Sequence, residues 1–182
     1  NFDELVKKAL PDAEIVYVNS KADLIYSLKT GKIEAYAVDA PVLKSQKRQE
    51  NRLTAVPEYL DQFSFGFVFS KTDAGEALCA QMDAFLAKIK EDGTLERLEQ
   101  KWLSDGGEQE MMDYKSLPAA NGTLTLATEA LYEPFTYIYN GKIVGFDIEI
   151  IARFCQEYGY ALVIEDMNFS GVLPAVQTGK CD

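Results

Sequence analysis

Residues 123–166 read TLTLATEALYEPFTYIYNGKIVGFDIEIIARFCQEYGYALVIED, and the changes of period inside this stretch decide the fold. TLTLAT at 123–128 alternates β-branched and apolar residues and predicts a strand. An aromatic-rich loop, LYEPFTYIY, leads to Asn140-Gly141, a hairpin-type turn. GFDIEIIARFCQEYGY has helical spacing and is closed by Gly159, and ALVIED at 161–166 returns to strand character. A strand, a helix and a second strand in this order imply a parallel α/β sheet. Such sheets collect ligands at the carboxyl ends of their strands. Downstream, SGVLPAVQTG predicts a short helix from Ser170 that ends in Thr-Gly-Lys.

The amino-terminal half has the same texture. FDELVKKAL at 2–10 is a helix stopped by Pro11 and Asp12, and EIVYV at 14–18 reads as a strand. Ser20 and Asp23 form a capping-box-like start for ADLIYSLKT, with Gly31 as its left-handed stop. IEAYAV at 33–38 reads as a buried strand that delivers Asp39 onto a helix, PVLKSQKRQ, whose Pro41 fits a first turn. FGFVFS at 65–70 reads as a strand. EALCAQMDAFLAKIKED at 76–92 and TLERLEQKWL at 94–103 read as helices, separated by Gly93 and with Thr94 as the second one's cap. The pattern of a short apolar helix, Thr-Gly-Lys and an acid therefore occurs twice, at 25–35 and at 171–182. Between the halves, SDGGEQEMMDYKSLPAANG at 104–122 has no period and reads as a linker.

Composition narrows the function classes. The chain has 182 residues, 47% of them hydrophobic, and can bury one or two modest cores. A formal net charge of -11 argues against nucleic acid or an anionic membrane as partner, since either demands a basic face. Histidine is absent, which removes the commonest general base and metal ligand. Cys79, Cys155 and Cys181 are too widely spaced for a metal knuckle or a thioredoxin-type pair. Gly-Lys occurs three times but never inside a phosphate-loop pattern. No cofactor is called for. No apolar run approaches the roughly 18–20 residues of a membrane span, and no signal peptide opens the chain, so an export signal or anchor is expected outside it.

LTLATEALYEPFTYIYNGKIVGFDIEIIARFCQEYGYALVIEDMNFSGVLPAVQTGKCD, 124–182, resembles the opening portion of the extracytoplasmic amino-acid-binding proteins of polar amino acid ABC transporters. The resemblance is carried by the strand with Ala-Thr and an acid, the aromatic-x-Pro-Phe loop, the Gly-Phe-Asp helix start, the Phe-Ser-Gly turn and the closing Thr-Gly-Lys. Residues 2–103 resemble the closing portion of the same family, so the order is reversed. The resemblance implies type II periplasmic-binding-protein-like lobes: α/β, three layers, a parallel or mixed sheet with helices on both faces, incomplete or permuted. It implies that 1–103 ends a first solute-binding domain, with 1–63 part of its lobe 2 and 64–103 a hinge strand and lobe 1 helices. Residues 104–122 would be the linker, and 123–182 would begin lobe 1 of a second domain. A circular permutation lacking its middle is the less favoured account.

The implied function is capture of a free amino acid between two hinged lobes for delivery to an ABC transporter permease. The protein would be extracytoplasmic and tethered to, or part of, a membrane protein. Such a ligand needs an anion for its ammonium group, donors for its carboxylate and apolar walls. By position Asp39 matches the lobe 2 aspartate that accepts from the ligand ammonium, although an Asp two residues before Pro is also an ordinary helix cap. Tyr132 and Phe169 match the aromatic walls, for which core packing is the competing account. Glu129 matches an acid ending the first strand and, one methylene longer than the usual aspartate, would shrink the pocket or admit a cationic side chain. The arginine that clamps the ligand carboxylate has no counterpart here, so no complete site is expected.

A ligand-sensing input domain of a membrane receptor or kinase is the alternative, and an enzyme like the prephenate dehydratases is a remote one. Cys155, late in its helix, and Cys181 could approach each other at the base of the sheet. A disulfide between them is the expectation that an exported location would permit. Unpaired sheet edges would recruit a homo-oligomer that completes the lobes.

Overall fold

The computed structural model describes residues 2–18, 20–62, 64–104 and 111–182. They divide into two compact units, Asn1–Phe65 and Gly66–Asp182. The boundary falls inside the 64–70 segment.

In the first unit the described residues form three helices: α1 (Asp3–Ala9), α2 (Lys21–Lys29) and α3 (Ala40–Gln49). Ser20 caps α2 as expected, its hydroxyl accepting the Asp23 N–H at 3.1 Å, and Gly31 ends the turn at φ 71°. Val42 and Leu53 are buried, and the Tyr36 hydroxyl donates to Gln46 Oε1 at 2.7 Å. Lys29 and Arg52 both bridge to Glu50. Neither 14–18 nor 33–38 is a strand, and in the second unit 66–70 is not one either, contrary to expectation. Their β-branched residues suit a pleat, but a strand exists only where another backbone accepts and donates its ladder bonds. Within the described residues no such partner faces these segments, and Val16, Tyr17 and Val68 are left more than half exposed.

The second unit is mixed α/β. Helices α4 (Asp73–Glu91) and α5 (Thr94–Leu103) precede a single 3-10 turn at Tyr114–Ser116. There follow β1 (Thr123–Thr128), β2 (Leu131–Tyr132), β3 (Thr136–Tyr139), β4 (Lys142–Val144), α6 (Phe146–Tyr158), β5 (Ala161–Asp166) and α7 (Phe169–Gln177). β1 and β5 pair in parallel, Thr123 opposite Ala161 through to Thr128 opposite Asp166. β2, β3 and β4 form an antiparallel sheet turned by Asn140 and Gly141, both at positive φ as the primed hairpin turn requires. The α/β class and the parallel pair are as expected, while the sheets hold two and three strands rather than a full three-layer lobe.

The core sits around α6, which buries Ile148, Ile150, Ile151, Ala152, Phe154 and Cys155. Met82, Phe85 and Ile89 of α4 and Leu98 and Trp102 of α5 lie at helical spacing and meet it on one side, Leu124 and Leu162 of the parallel pair on another. Phe154 is fully buried between Phe85, edge-on at 5.7 Å, and Tyr158 and Tyr160. Residues 66–103 and 123–182 therefore share one core. The expected linker differs as well: 105–110 lie outside the described residues, but Met111, Met112, Tyr114 and Leu117 pack against this core. Burial of these apolar side chains orders a stretch that has no period of its own.

Two local readings change. α4 starts a turn earlier than 76 because Thr72 accepts from the Gly75 N–H at 3.1 Å. Thr94 is not the cap of α5: Gly93 holds that position at φ 75°, and Asp92 accepts the Thr94 N–H at 2.8 Å. Gly145, at φ 137°, lies so close to the preceding loop that a Cβ there would stand 2.1 Å from the Phe135 carbonyl oxygen. That close approach seats the start of α6 against the aromatic loop.

Candidate functional site

The carboxyl ends of β1 and β5 bring together Glu129, Tyr132 and Phe169, and each is placed by backbone geometry. β1 ends at Thr128, so Glu129 is the first residue past the ladder. Its carbonyl oxygen accepts from Thr136 Oγ1 at 2.8 Å, and its carboxylate Oε1 accepts the Phe169 N–H at 3.1 Å. This carboxylate thus sits at the first turn of α7, where an N–H has no helical partner and negative charge is favoured. Asn168, the residue before α7, makes no side-chain cap. Oε2 of Glu129 has no hydrogen-bond partner among the described residues and remains available to a cation.

Tyr132 stacks on Phe135 with centroids 5.6 Å apart and planes 18° apart. Phe135 is 5% exposed and belongs to the core, whereas Tyr132 keeps 36% exposure and shows its outer face. Phe146 meets Phe135 edge-on and is partly buried, as core packing requires. Phe169 is 77% exposed, so core packing does not account for it. The strand ends thus carry a carboxylate and two exposed aromatic side chains, groups of the kind that attract an organic cation.

A fourth residue at this edge, Asp166, was not singled out from the sequence. It ends β5, and its Oδ1 accepts the Ala130 N–H at 2.9 Å. An acid at the end of ALVIED was visible, but only the strand pairing shows which backbone it meets. Buried Thr128 and Thr136 share a hydroxyl contact at 3.0 Å behind the turn.

Asp39 lies in the other unit, at the start of α3. It is 9% exposed and makes no side-chain cap bond, and burial raises its carboxyl above the usual range against a smaller opposing effect of its own N–H. The helix-cap account of Asp39 therefore lacks the bond that defines it.

The expected Cys155–Cys181 disulfide is not formed, and both thiols are free. Cys155 faces the main core from α6, while Cys181 packs with Ala175 and Val176 in a separate apolar cluster. A bond would require pulling one of them out of its cluster. A cavity of about 190 Å³ between α4 and β1 lies at the amino end of β1, beside Thr123 and Leu124, and not at this site. Among the described residues no cluster of acids and cysteines could hold a metal ion. No helix among them is long and apolar enough to cross a membrane.

Residues 124–182 match the family profile of bacterial extracellular solute-binding proteins, family 3. A probable histidine-binding protein of Campylobacter jejuni is 38% identical over 65 residues, 35% of this chain and 25% of that protein. The arginine-binding extracellular protein ArtP of Bacillus subtilis is 34% identical over 59 residues, 32% of this chain and 23% of that protein. The membrane-bound lytic murein transglycosylase F of Cronobacter sakazakii is 25% identical over 116 residues, 64% of this chain and 22% of that protein. The chain thus spans a quarter or less of the length of these relatives. The strands that carry the site lie within the matched residues, and over 124–182 the chain is similar to the bacterial extracellular solute-binding proteins, family 3.

Proposed function

We propose that this chain contributes to the binding of a free amino acid with a cationic side chain, as a solute-binding module and not as an enzyme. The observation that carries the reading is the Glu129 carboxylate at the carboxyl end of β1, tied by one oxygen to the first turn of α7 and three residues before the partly exposed Tyr132. An acid in this place offsets the loss of water around a cationic group, and the exposed Tyr132 and Phe169 faces supply apolar walls that also attract cations. Relatives named for histidine and arginine favour the same class. Asp39 would serve the ligand ammonium. Because the segment like the family's end precedes the segment like its start, Asp39 and the Glu129 group would come from two successive domains and serve two ligands, while 66–103 and 123–182 pack in one core. The module works outside the cytoplasm beside a membrane permease that receives the amino acid.

A thermal-shift series on the full chain with L-arginine, L-lysine, L-histidine, L-glutamine and L-glutamate tests this. Stabilisation by the cationic members, weakened by salt and removed in Glu129→Gln, is the expected result. Stabilisation by L-glutamate alone would overturn the cationic reading. No shift with any of them would overturn binding by this chain, while the sequence similarity of 124–182 to the solute-binding family would stand.

A further inference from the structure

We infer that Asp166 is a positioning residue for this site, acting through the backbone of the turn that carries Glu129 and Tyr132; the inference rests on the amino-acid-binding reading above. β1 and β5 end together, Thr128 opposite Asp166, and the Met167 N–H adds a last ladder bond to the Thr128 carbonyl at 2.9 Å. Beyond that bond the two segments part, one turning into β2 and the other into α7. At the parting each sends a carboxylate to the other's backbone. Glu129 Oε1 takes the Phe169 N–H at 3.1 Å, and Asp166 Oδ1 takes the Ala130 N–H at 2.9 Å. The two bonds form a reciprocal clasp across the ends of the parallel pair.

The Asp166 half of the clasp governs the other. Ala130 is 1% exposed, so its N–H cannot turn to water, and a buried donor tolerates few places other than opposite its acceptor. Asp166 therefore determines where the turn lies. Thr136 holds the same turn from behind, donating to the Glu129 carbonyl at 2.8 Å, and Tyr132 pairs with Thr136 across β2 and β3. The direction of the Glu129 carboxylate and the seat of the Tyr132 ring both follow from this anchoring. Asp166 sets the two groups that meet a ligand without meeting it itself.

The experiment compares Asp166→Asn, which keeps an acceptor and removes the charge, with Asp166→Ala, which removes both. It uses the full chain, L-arginine as the probe and amide hydrogen exchange of Ala130 as a second readout. Positioning predicts that Asp166→Asn keeps Ala130 protected and holds arginine affinity within about threefold. Asp166→Ala exposes that amide to exchange and weakens affinity by about tenfold or more, with the β1–β5 ladder amides still protected. Equal loss of affinity in both variants would overturn the inference in favour of a direct charge effect. Unchanged exchange and affinity in Asp166→Ala would overturn it outright. Should Asp166→Ala fail to fold, Asp166→Asn decides alone, by retention or loss of both readouts. If the unaltered chain binds no arginine, the functional reading fails, and the exchange of Ala130 in the two variants still reports whether Asp166 anchors the turn.

Discussion

Glu149 Oε2 accepts the indole N–H of Trp102 at 2.9 Å, linking α6 to α5 across 47 positions of the chain. Lys101 Nζ reaches the same oxygen at 2.6 Å, and the Arg153 guanidinium holds Oε1 at 2.7 Å. A carboxylate only 3% exposed is thus satisfied by three donors from two helices. It joins the residues before the 104–122 stretch to those after it, within one core.

Removing this acceptor strands the indole N–H and two cations against the core. Glu149→Ala should cost about 3 kcal/mol in urea unfolding, toward the lower end for a broken buried pair because Lys101 and Arg153 keep some solvent. Lys101→Ala should cost clearly less. Burial raises the Glu149 carboxyl, but the Lys101, Arg153 and Trp102 bonds together outweigh it and hold the carboxyl below its usual 4.5. A depressed folded value means that stability is fully present above 4.5 and is lost as pH falls through the lower folded value. Unfolding curves between neutral pH and pH 3 should show that loss in the unaltered chain and little of it in Glu149→Ala.

Asp147, two residues earlier, behaves in the opposite sense. Burial at the start of α6 raises its carboxyl from 3.8 to about 6. Its contribution is fully present below 3.8 and is lost as pH rises through about 6, where the chain must ionise a desolvated acid. Asp147→Asn should therefore stabilise the protein above pH 6 by about 1–2 kcal/mol, the attraction of the α6 amino terminus for negative charge offsetting part of the gain. At pH 4 it should be near neutral. Calorimetric melting at the two pH values checks both halves, and equal melting shifts at both would contradict the buried-acid account.

The thiols offer a chemical test of the core. Three free thiols should be counted in denaturant without reductant, because no pair is bonded. In the native protein Cys79, on the partly exposed side of α4, should react first with a thiol reagent. Cys155, fully buried and pushed by burial to about 12, should react only on unfolding. Cys181 is also buried, with burial and then Glu165 raising its thiol, and should react late. A count of one free thiol would restore the disulfide.

Asp39 and Ser20 stand at equivalent backbone positions before their helices but make different bonds. Ser20→Ala removes a formed cap and should cost about 1 kcal/mol. Asp39→Ala removes no cap bond and relieves a buried carboxyl, so its cost in stability should stay below about 0.5 kcal/mol. If Asp39 serves a ligand, its replacement will instead appear in amino-acid binding. A stability loss equal to that of Ser20→Ala would restore the capping account.

Local signals carried much of the fold. α5 spans 94–103, β1 spans 123–128 and β5 spans 161–166, all as read, because apolar period and glycine stops act within a few residues. The misread segments, 14–18, 33–38 and 65–70, have strand composition too. Composition states what a segment suits and not whether a partner backbone lies beside it. The disulfide failed for a related reason, since Cys155 on α6 and Cys181 beyond α7 face different clusters.

The site divides in the same way. The sequence alone determined its chemistry: an acid after β1, an aromatic three residues on and a second aromatic just before the helix read from Ser170. Only the tertiary structure decided that Glu129 reaches the Phe169 N–H and that Asp166 reaches Ala130. Those bonds join residues about 40 positions apart, and their length depends on strand register, which is set by the burial of β1, β5 and α6 together.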